Sequence, residues 1–346
     1  MNPQAKLIFT ISLLLGTTIT ISSNHWVMAW TGLEINTLAV LPLISKSHHP
    51  RAIEAATKYF LVQAAASALV LFSSMTNAWC TGQWDITQLT HPMACLVLTA
   101  AIAMKLGLVP FHFWFPEVLQ GTSLMTGLLL STAMKFPPIT LLFLTSSSLN
   151  PTLLVTMALL SAALGGWMGL NQTQIRKILA FSSISHLGWM AIILTYHPKL
   201  TLLNFYLYTL MTAAVFLTLN TMKALKLSTL MTAWTKTPSL SATLLLTLLS
   251  LAGLPPLTGF LPKWVIIQEL TKQGLAPAAM IISLLSLLSL FFYLRLAYCT
   301  AITLPPHTTN HMKQWHTNKP VNVLVAILTT LSLTLLPLSP VLLTIP

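Results

Sequence analysis

Acidic side chains are almost missing from this chain, which holds five Asp and Glu among 346 residues. Charged residues of both signs reach only 6%. A soluble domain stays dispersed by covering itself with charge, so this composition excludes one. Cysteine is scarce as well. Cys80, Cys95 and Cys299 are too few and too scattered for a disulfide framework. No C-x-x-C pair offers ligands for zinc or an iron–sulfur cluster, and no haem-ligand pattern stands out. No G-x-G-x-x-G joins a strand to a helix, so no nicotinamide or flavin site is visible. The expectation is a chain without a cofactor of its own; if it serves a redox enzyme, the redox chemistry lies in its partners.

Apolar sequence fills the chain instead. Hydrophobic residues make up 55% and the mean hydropathy is +0.79. A helix needs about 20 mostly apolar residues to cross a bilayer, and such stretches occupy nearly the whole sequence. Hydropathy and helix breakers place about eleven spans, near 3–22, 25–44, 59–76, 92–111, 122–144, 152–170, 178–196, 200–221, 239–270, 277–299 and 321–343. No linker is long enough for a separate soluble domain, so one all-α, polytopic membrane domain is expected over 1–346. The opening MNPQAKLIFTISLLLGTTITIS lacks both a small-residue cleavage site and the Arg-rich character of a transit peptide. It reads as the first span of a chain made in a prokaryote or inside an organelle.

A net charge of +12 would suggest nucleic acid in a soluble protein. Here the basic residues lie in short loops, with no basic face interleaved with aromatics, so nucleic acid is not expected. Even-numbered loops carry Lys46, Arg51 and Lys58, then Arg176 and Lys177, then Lys223, Lys226 and Lys236, then Lys313 and Lys319. Odd-numbered loops carry only Lys199 and Lys272, with Asp85. One missed span would destroy this alternation downstream. Positive residues are retained on the side of insertion, which puts the N-terminus, with Lys6, on the positive side and the C-terminus opposite. Arg295, near the end of the tenth span, can snorkel to the positive side.

A few charges remain inside apolar runs. Glu34 sits in HWVMAWTGLEINTLAVLPLI, Lys105 in CLVLTAAIAMKLGLVPF and Lys135 in LMTGLLLSTAMKFPPITLLFL, while Lys263 follows LLLTLLSLAGLPPLTGFLP. A charge at bilayer depth costs roughly 3 kcal/mol by insertion measurements and about 10 or more by simulation, so such residues are rare and mark function. Two spans are also interrupted: the fourth at Gly107 and Pro110, the ninth through Gly253, Pro255, Pro256 and Gly259. Irregular backbone at membrane depth persists only inside protein or beside a wet cavity. Lys105 stands beside the first break and Lys263 beside the second. Both broken spans are fourth members of consecutive five-span sets, about 1–145 and 151–300, with a final helix at about 321–343. Five is odd, so the second set runs inverted to the first, a pattern of ion-handling transporters. Chance placement of Pro and Gly is the plainer alternative.

These segments carry a family resemblance. LVPFHFWFPE resembles the PFHxWLP motif of the antiporter-like subunits of NADH:quinone oxidoreductase (respiratory complex I) and of Mrp-type cation/proton antiporters. QIRKILAFSSISHLG, residues 174–188, is similar to that family's RLLAYSSISHMG segment, and SLAGLPPLTGFLPKW, residues 250–264, to its SLAGIPPxxGFxxK segment. MNPQAKLIF and SSNHWVMAWTGLEINTLAVLPLI bring the chain closest to the branch encoded in animal mitochondria, which lacks the first three of the family's fourteen core helices. Losing three helices inverts the N-terminus into the matrix, in agreement with the loop charges. Leu119 replaces the motif's second histidine, so a relay through that imidazole does not carry over, and no long amphipathic helix follows the last span.

The resemblance implies a proton-conducting subunit of the inner mitochondrial membrane, in contact with lipid. It implies other membrane-arm subunits as partners, among them a small core subunit and another antiporter-like subunit, with protons as the transported ion. It implies further that Glu34, Lys105, Lys135, His186 and Lys263 form a polar file along the membrane midplane. Desolvation disfavours a buried ammonium while a nearby carboxylate favours it, so a lysine held between the two switches protonation when a neighbouring charge moves. Plainer readings stand beside each role. Glu34 can be a buried partner that merely offsets a lysine. Lys263 can neutralise carbonyls at the helix break. His186 can be a hydrogen-bonded core histidine among Ser182, Ser183 and Ser185. His112 and Glu117, at the end of the fourth span, can be solvated or capping groups. The G-x-x-x-G of Gly165–Gly169 reads as close helix packing, and Trp26, Trp30, Trp79, Trp84 and Trp315 as interface anchors. His25, His48, His49, His307, His311 and His316 are loop residues without metal spacing. Two other functions fit the composition: a free-standing cation/proton antiporter, and a scaffold with vestigial charges.

Overall fold

Proline begins many of the helices, because its missing N–H costs nothing in a first turn and its fixed φ suits one. The computed structural model describes residues 2–233, 237–301 and 323–339. The helices α1 (Pro3–Ser22), α3 (Pro50–Thr81), α4 (Pro92–Leu106), α8 (Pro151–Gly169), α10 (Pro198–Met222) and α12 (Pro238–Ala252) all start this way. Histidine caps three helices, two of which also start with proline. His25 accepts from Val27 N–H at the start of α2 (Trp26–Ile44), His49 from Arg51 N–H at α3 and His91 from Ala94 N–H at α4. The remaining helices are α5 (Trp114–Gly121), α6 (Leu124–Ser131), α7 (Phe136–Leu144), α9 (Ile175–Ile193), α11 (Leu227–Ala233), α13 (Phe260–Lys272), α14 (Ala276–Ala301) and α15 (Val323–Thr334).

The chain is an all-α, polytopic membrane protein. Among the described residues, seven helical stretches are long and apolar enough to cross a membrane: α1, α2, α3, α6 with α7, α8, α10 and α14. Helices α4, α12 and α15 are apolar but shorter. Helix α9 carries Arg176 and Lys177 in its first turn, and its residues Ile178–Ile193 are all buried, as befits a helix surrounded by protein. Each expected span coincides with a helix or an interrupted pair, the last only over 323–339. The loop residues Lys236, His307, His311, Lys313, Trp315, His316 and Lys319 lie outside the described residues. Helix α3 has 32 residues, about 48 Å, against a hydrocarbon layer of about 30 Å, so its first turns extend beyond the apolar slab.

The chain divides into two compact units, residues 1–161 with 194–198, and residues 162–193 with 199–346. In the first, α2 packs on α1 and α3, α3 packs on α4 and α5, and α7 packs on α1 and α4. The crossing of α1 and α2 depends on glycine. A Cβ on Gly16 would lie 2.4 Å from Asn36 Oδ1, and one on Gly32 would lie 2.9 Å from the Gly16 carbonyl. In the second unit, α14 packs on α9, α11, α12 and α13, while α12 also meets α15. Gly165 there lets α8 close on α9, since its Cβ would lie 2.8 Å from Ser185 N, which is the close packing expected of that motif.

Candidate functional site

The first unit gathers three of the expected residues. Helix α4 stops at Gly107, whose φ of 79° is a left-handed turn that glycine adopts freely. Such an ending inside protein needs partners for its bare carbonyls. Ala103 O accepts from the Gly107 and Leu108 N–H groups, both at 2.9 Å. Met104 O accepts from the Trp114 indole at 3.2 Å, and Lys105 O from the Gln63 amide at 3.4 Å. Lys105 thus has a settled backbone, while its side chain, 6% exposed, ends in an Nζ with no hydrogen-bond partner among the described residues.

Lys135 owes its position to Pro137 and Pro138. Their missing N–H groups and bulky rings deprive the carbonyls of residues 133 and 134 of helical partners. Helix α6 therefore ends at Ser131, a 3₁₀ turn runs Ala133–Lys135, and α7 resumes at Phe136. Hydropathy alone makes 122–144 one continuous span; the structure adds this third irregularity, at a buried lysine. Lys135 is 3% exposed and its Nζ lies 4.9 Å from the centre of the Phe115 ring.

Lys105 and Lys135 line one cavity, together with Asn36, Thr37, Tyr59 and Gln63. It offers water centres about 20 Å³, room for about one molecule. Glu34 is half-buried and outside the lining, but its Oε2 accepts a hydrogen bond from Thr37 Oγ1 at 3.1 Å. Among the described residues it makes no salt bridge.

The second unit holds the other two. Helix α12 ends at Gly253, φ 83°, and Lys263 lies beyond the break, in the first turn of α13. The two lysines therefore stand on opposite sides of their breaks. Half-buried Lys263 reaches back so that Nζ donates to Ala252 O at 2.7 Å. Its chain lies on Gly253, where a Cβ would meet Cδ at 2.9 Å and Nζ at 3.0 Å. The same Nζ is 5.8 Å from the centre of the Trp189 ring, one turn along α9 from His186. His186 is 8% exposed, with its ring 5.4 Å from that of Tyr208.

Other expectations change. His112 is 1% exposed, so the solvated reading fails: the residues that follow the break at Gly107 stay buried, as Leu108 and Val109 do at 1% and 3%. Glu117 is solvated, pairing at 2.6 Å with Lys58, which also meets Glu54 at 2.5 Å. Trp26 is fully buried and is no interface anchor, because the 84–86 segment folds over it through Trp26 N–H to Trp84 O and Ile86 N–H to Asn24 O. Arg295 does not snorkel freely; its guanidinium donates to the carbonyls of Leu170 and Gln172, just past α8. The sequence reading missed Asn36, Tyr59 and Gln63. Asn36 and Gln63 were visible as amides within apolar spans, whereas Tyr59, at a span edge beside Lys58, resembles an interface aromatic.

Interrupted membrane helices bearing buried lysines define an antiporter-like membrane protein, and comparison with known proteins makes the class specific. Residues 23–289 match the family described as NADH:quinone oxidoreductase/Mrp antiporter, TM, and residues 290–343 that described as NADH dehydrogenase subunit 2 C-terminus. The chain belongs to this family. It is 78% identical to NADH-ubiquinone oxidoreductase chain 2 of Sibirionetta formosa, over 98% of both chains, and 74% identical to that of Gallus gallus, over 99% of both. Among solved structures it resembles a chain of respiratory complex I from Thermus thermophilus, with TM-score 0.86 and 27% identity, over 98% of this chain and 79% of that one. A chain of the Mrp complex from Dietzia sp. shares the fold, with TM-score 0.82 and 17% identity, over 96% of this chain and 75% of that one.

Proposed function

We propose that the chain is a core membrane subunit of proton-translocating NADH:ubiquinone oxidoreductase, and that it conducts protons through buried Glu and Lys side chains while other subunits perform the redox chemistry. The observation that carries this is the pair Lys105 and Lys135, 6% and 3% exposed, on one water-sized cavity between irregular helix segments. Buried lysines in a mostly apolar span are costly to keep, and a cavity that admits water gives their protons somewhere to go. Glu34 belongs to the same group, and His186 with Lys263 supplies a second one. The free-standing antiporter reading is weakened by the match of residues 290–343 and by full-length relatives that bear the oxidoreductase name.

The subunit works in the inner mitochondrial membrane beside other membrane-arm subunits, including a small core subunit and a further antiporter-like one. Two inverted five-span sets form it, with the N-terminus in the matrix and the C-terminus in the intermembrane space.

The test is substitution at Lys135 in complexes reconstituted into sealed vesicles. Lys135→Ala leaves the complex assembled but strongly lowers proton uptake driven by NADH. Lys135→Arg rescues poorly, since a guanidinium does not release its proton. Normal pumping by an assembled Lys135→Ala complex would make this lysine structural and refute the relay.

A further inference from the structure

The interrupted helix of the second unit is held from two sides, and the relay accounts for only one of them. Lys263 Nζ, in the first turn of α13, donates across the break to Ala252 O at the end of α12. The other hold runs to the last helix. Helix α15 is apolar and carries no charge, yet its buried residues are Val325, Thr329 and Ser332, so two of the three bear hydroxyls. Small polar side chains on an apolar membrane helix mark a face that another backbone approaches closely. Here the break supplies that backbone. Thr258, 2% exposed, sits just before Gly259, the N-cap of α13, and its Oγ1 donates to Ser332 O.

Both ends of this bond answer a need. Ser332 lies in the last turn of α15, which ends at Thr334, where carbonyls have no amide of their own helix to accept from. Thr258 lies in irregular backbone, which persists at membrane depth only where protein meets its polar groups. From Thr258 the constraint passes along the chain. Its carbonyl accepts from Leu261 N–H at 3.2 Å, and Leu257 O accepts from Phe260 N–H at 3.1 Å, which fixes the turn that carries Lys263. The two holds respond differently to proton transfer. A hydrogen bond from an ammonium is charge-assisted and weakens when the nitrogen becomes neutral. Threonine is not among the side chains that titrate, so the bond from Thr258 to Ser332 O is the same in both states.

We infer that Thr258 is a positioning residue for Lys263: by anchoring the first turn of α13 to α15, it keeps Nζ at Ala252 O whether the nitrogen is charged or neutral. The inference rests on the proton-conducting reading of Lys263 above. Without the anchor, weakening of the charge-assisted bond leaves that turn free to shift, and Nζ no longer returns to one place in each cycle. The last helix then has a part in conduction although it carries no titratable group.

Thr258→Val removes the hydroxyl and keeps the branched shape. Complexes carrying Thr258→Val, Thr258→Ser or Lys263→Met are reconstituted in sealed vesicles, and proton uptake driven by NADH is measured across pH. The helices packed on α13 carry Arg176, Lys177 and His186 (α9) and Tyr293, Arg295, Tyr298 and Cys299 (α14). All of these stay the same in every variant, as do Glu269 and Lys272 of α13 itself. The expected result is an assembled Thr258→Val complex with uptake lowered several-fold and its pH profile displaced, and recovery of both by Thr258→Ser, whose hydroxyl can make the same bond. Lowered uptake with an undisplaced profile, or normal uptake beside an impaired Lys263→Met, overturns the inference and leaves the relay standing. Normal uptake by Lys263→Met overturns both. Should Thr258→Val not assemble, Thr258→Ala is compared with Thr258→Ser, since both lack the methyl group and only serine keeps the hydroxyl. Equal uptake by those two, or failure of Thr258→Ala to assemble as well, overturns the inference.

Discussion

Gly253→Ala tests whether the second break is shaped around Lys263. The residue sits at φ 83°, and a Cβ there would lie 2.9–3.0 Å from Cδ, Cε and Nζ of Lys263. A left-handed residue other than glycine costs roughly 1–2 kcal/mol in any background. The Lys263 side chain is flexible, so it moves away and the fold survives, but the 2.7 Å bond from Nζ to Ala252 O is lost. Losing a hydrogen bond made by a charged group costs about 1.5–3 kcal/mol, giving about 2.5–5 kcal/mol for Gly253→Ala in all. In a Lys263→Ala background there is no side chain to displace, and the same change should cost only the backbone share of roughly 1–2 kcal/mol. Denaturant unfolding of the purified complex, followed by the release of this subunit in all four combinations, measures the coupling. An equal cost of Gly253→Ala with and without the lysine side chain would refute the reasoning.

Gly259→Ala is expected to be far worse, because its Cβ would lie 1.7 Å from the Ser250 carbonyl, a backbone atom that cannot swing aside; native gels should show no assembled subunit, and normal assembly would mean that this approach is not required. For the proposed orientation, Lys226→Cys in a chain freed of Cys80, Cys95 and Cys299 should react with an impermeant thiol reagent from the matrix side, since residue 226 is exposed. Labelling from the intermembrane space would reverse the topology.

The breaks were legible because glycine and proline act locally. Gly107 and Gly253 stop their helices wherever the rest of the chain goes, and both stops lie where the sequence put them. Pro137 and Pro138 carry the same kind of signal, but they stand late in the 122–144 run, where prolines also mark the coming end of a span, so the 3₁₀ turn at Lys135 is not legible from them alone. The burial of His112 and Trp26 was not legible. It depends on segments distant in sequence, the 84–86 strap for Trp26 and the packing around the buried residues after Gly107 for His112.

The two lysines at the breaks look equivalent in sequence and are not equivalent in structure. Lys105 precedes its break, the last carbonyls of α4 are covered by Gln63, Trp114 and the following N–H groups, and the Lys105 Nζ is left facing a cavity. Lys263 follows its break and supplies the cover itself, donating to Ala252 O. The carbonyl-neutralising alternative weighed for Lys263 therefore has a contact behind it, and for Lys105 it has none. A neutral amine can keep a hydrogen bond to a carbonyl as well as an ammonium can, though more weakly. That bond alone does not remove Lys263 from a relay. It makes any proton loss there compete with a bond that holds the two helix halves together, whereas proton loss at Lys105 breaks no such bond. The first unit can change charge with its backbone fixed; in the second, charge and helix geometry are tied to one side chain.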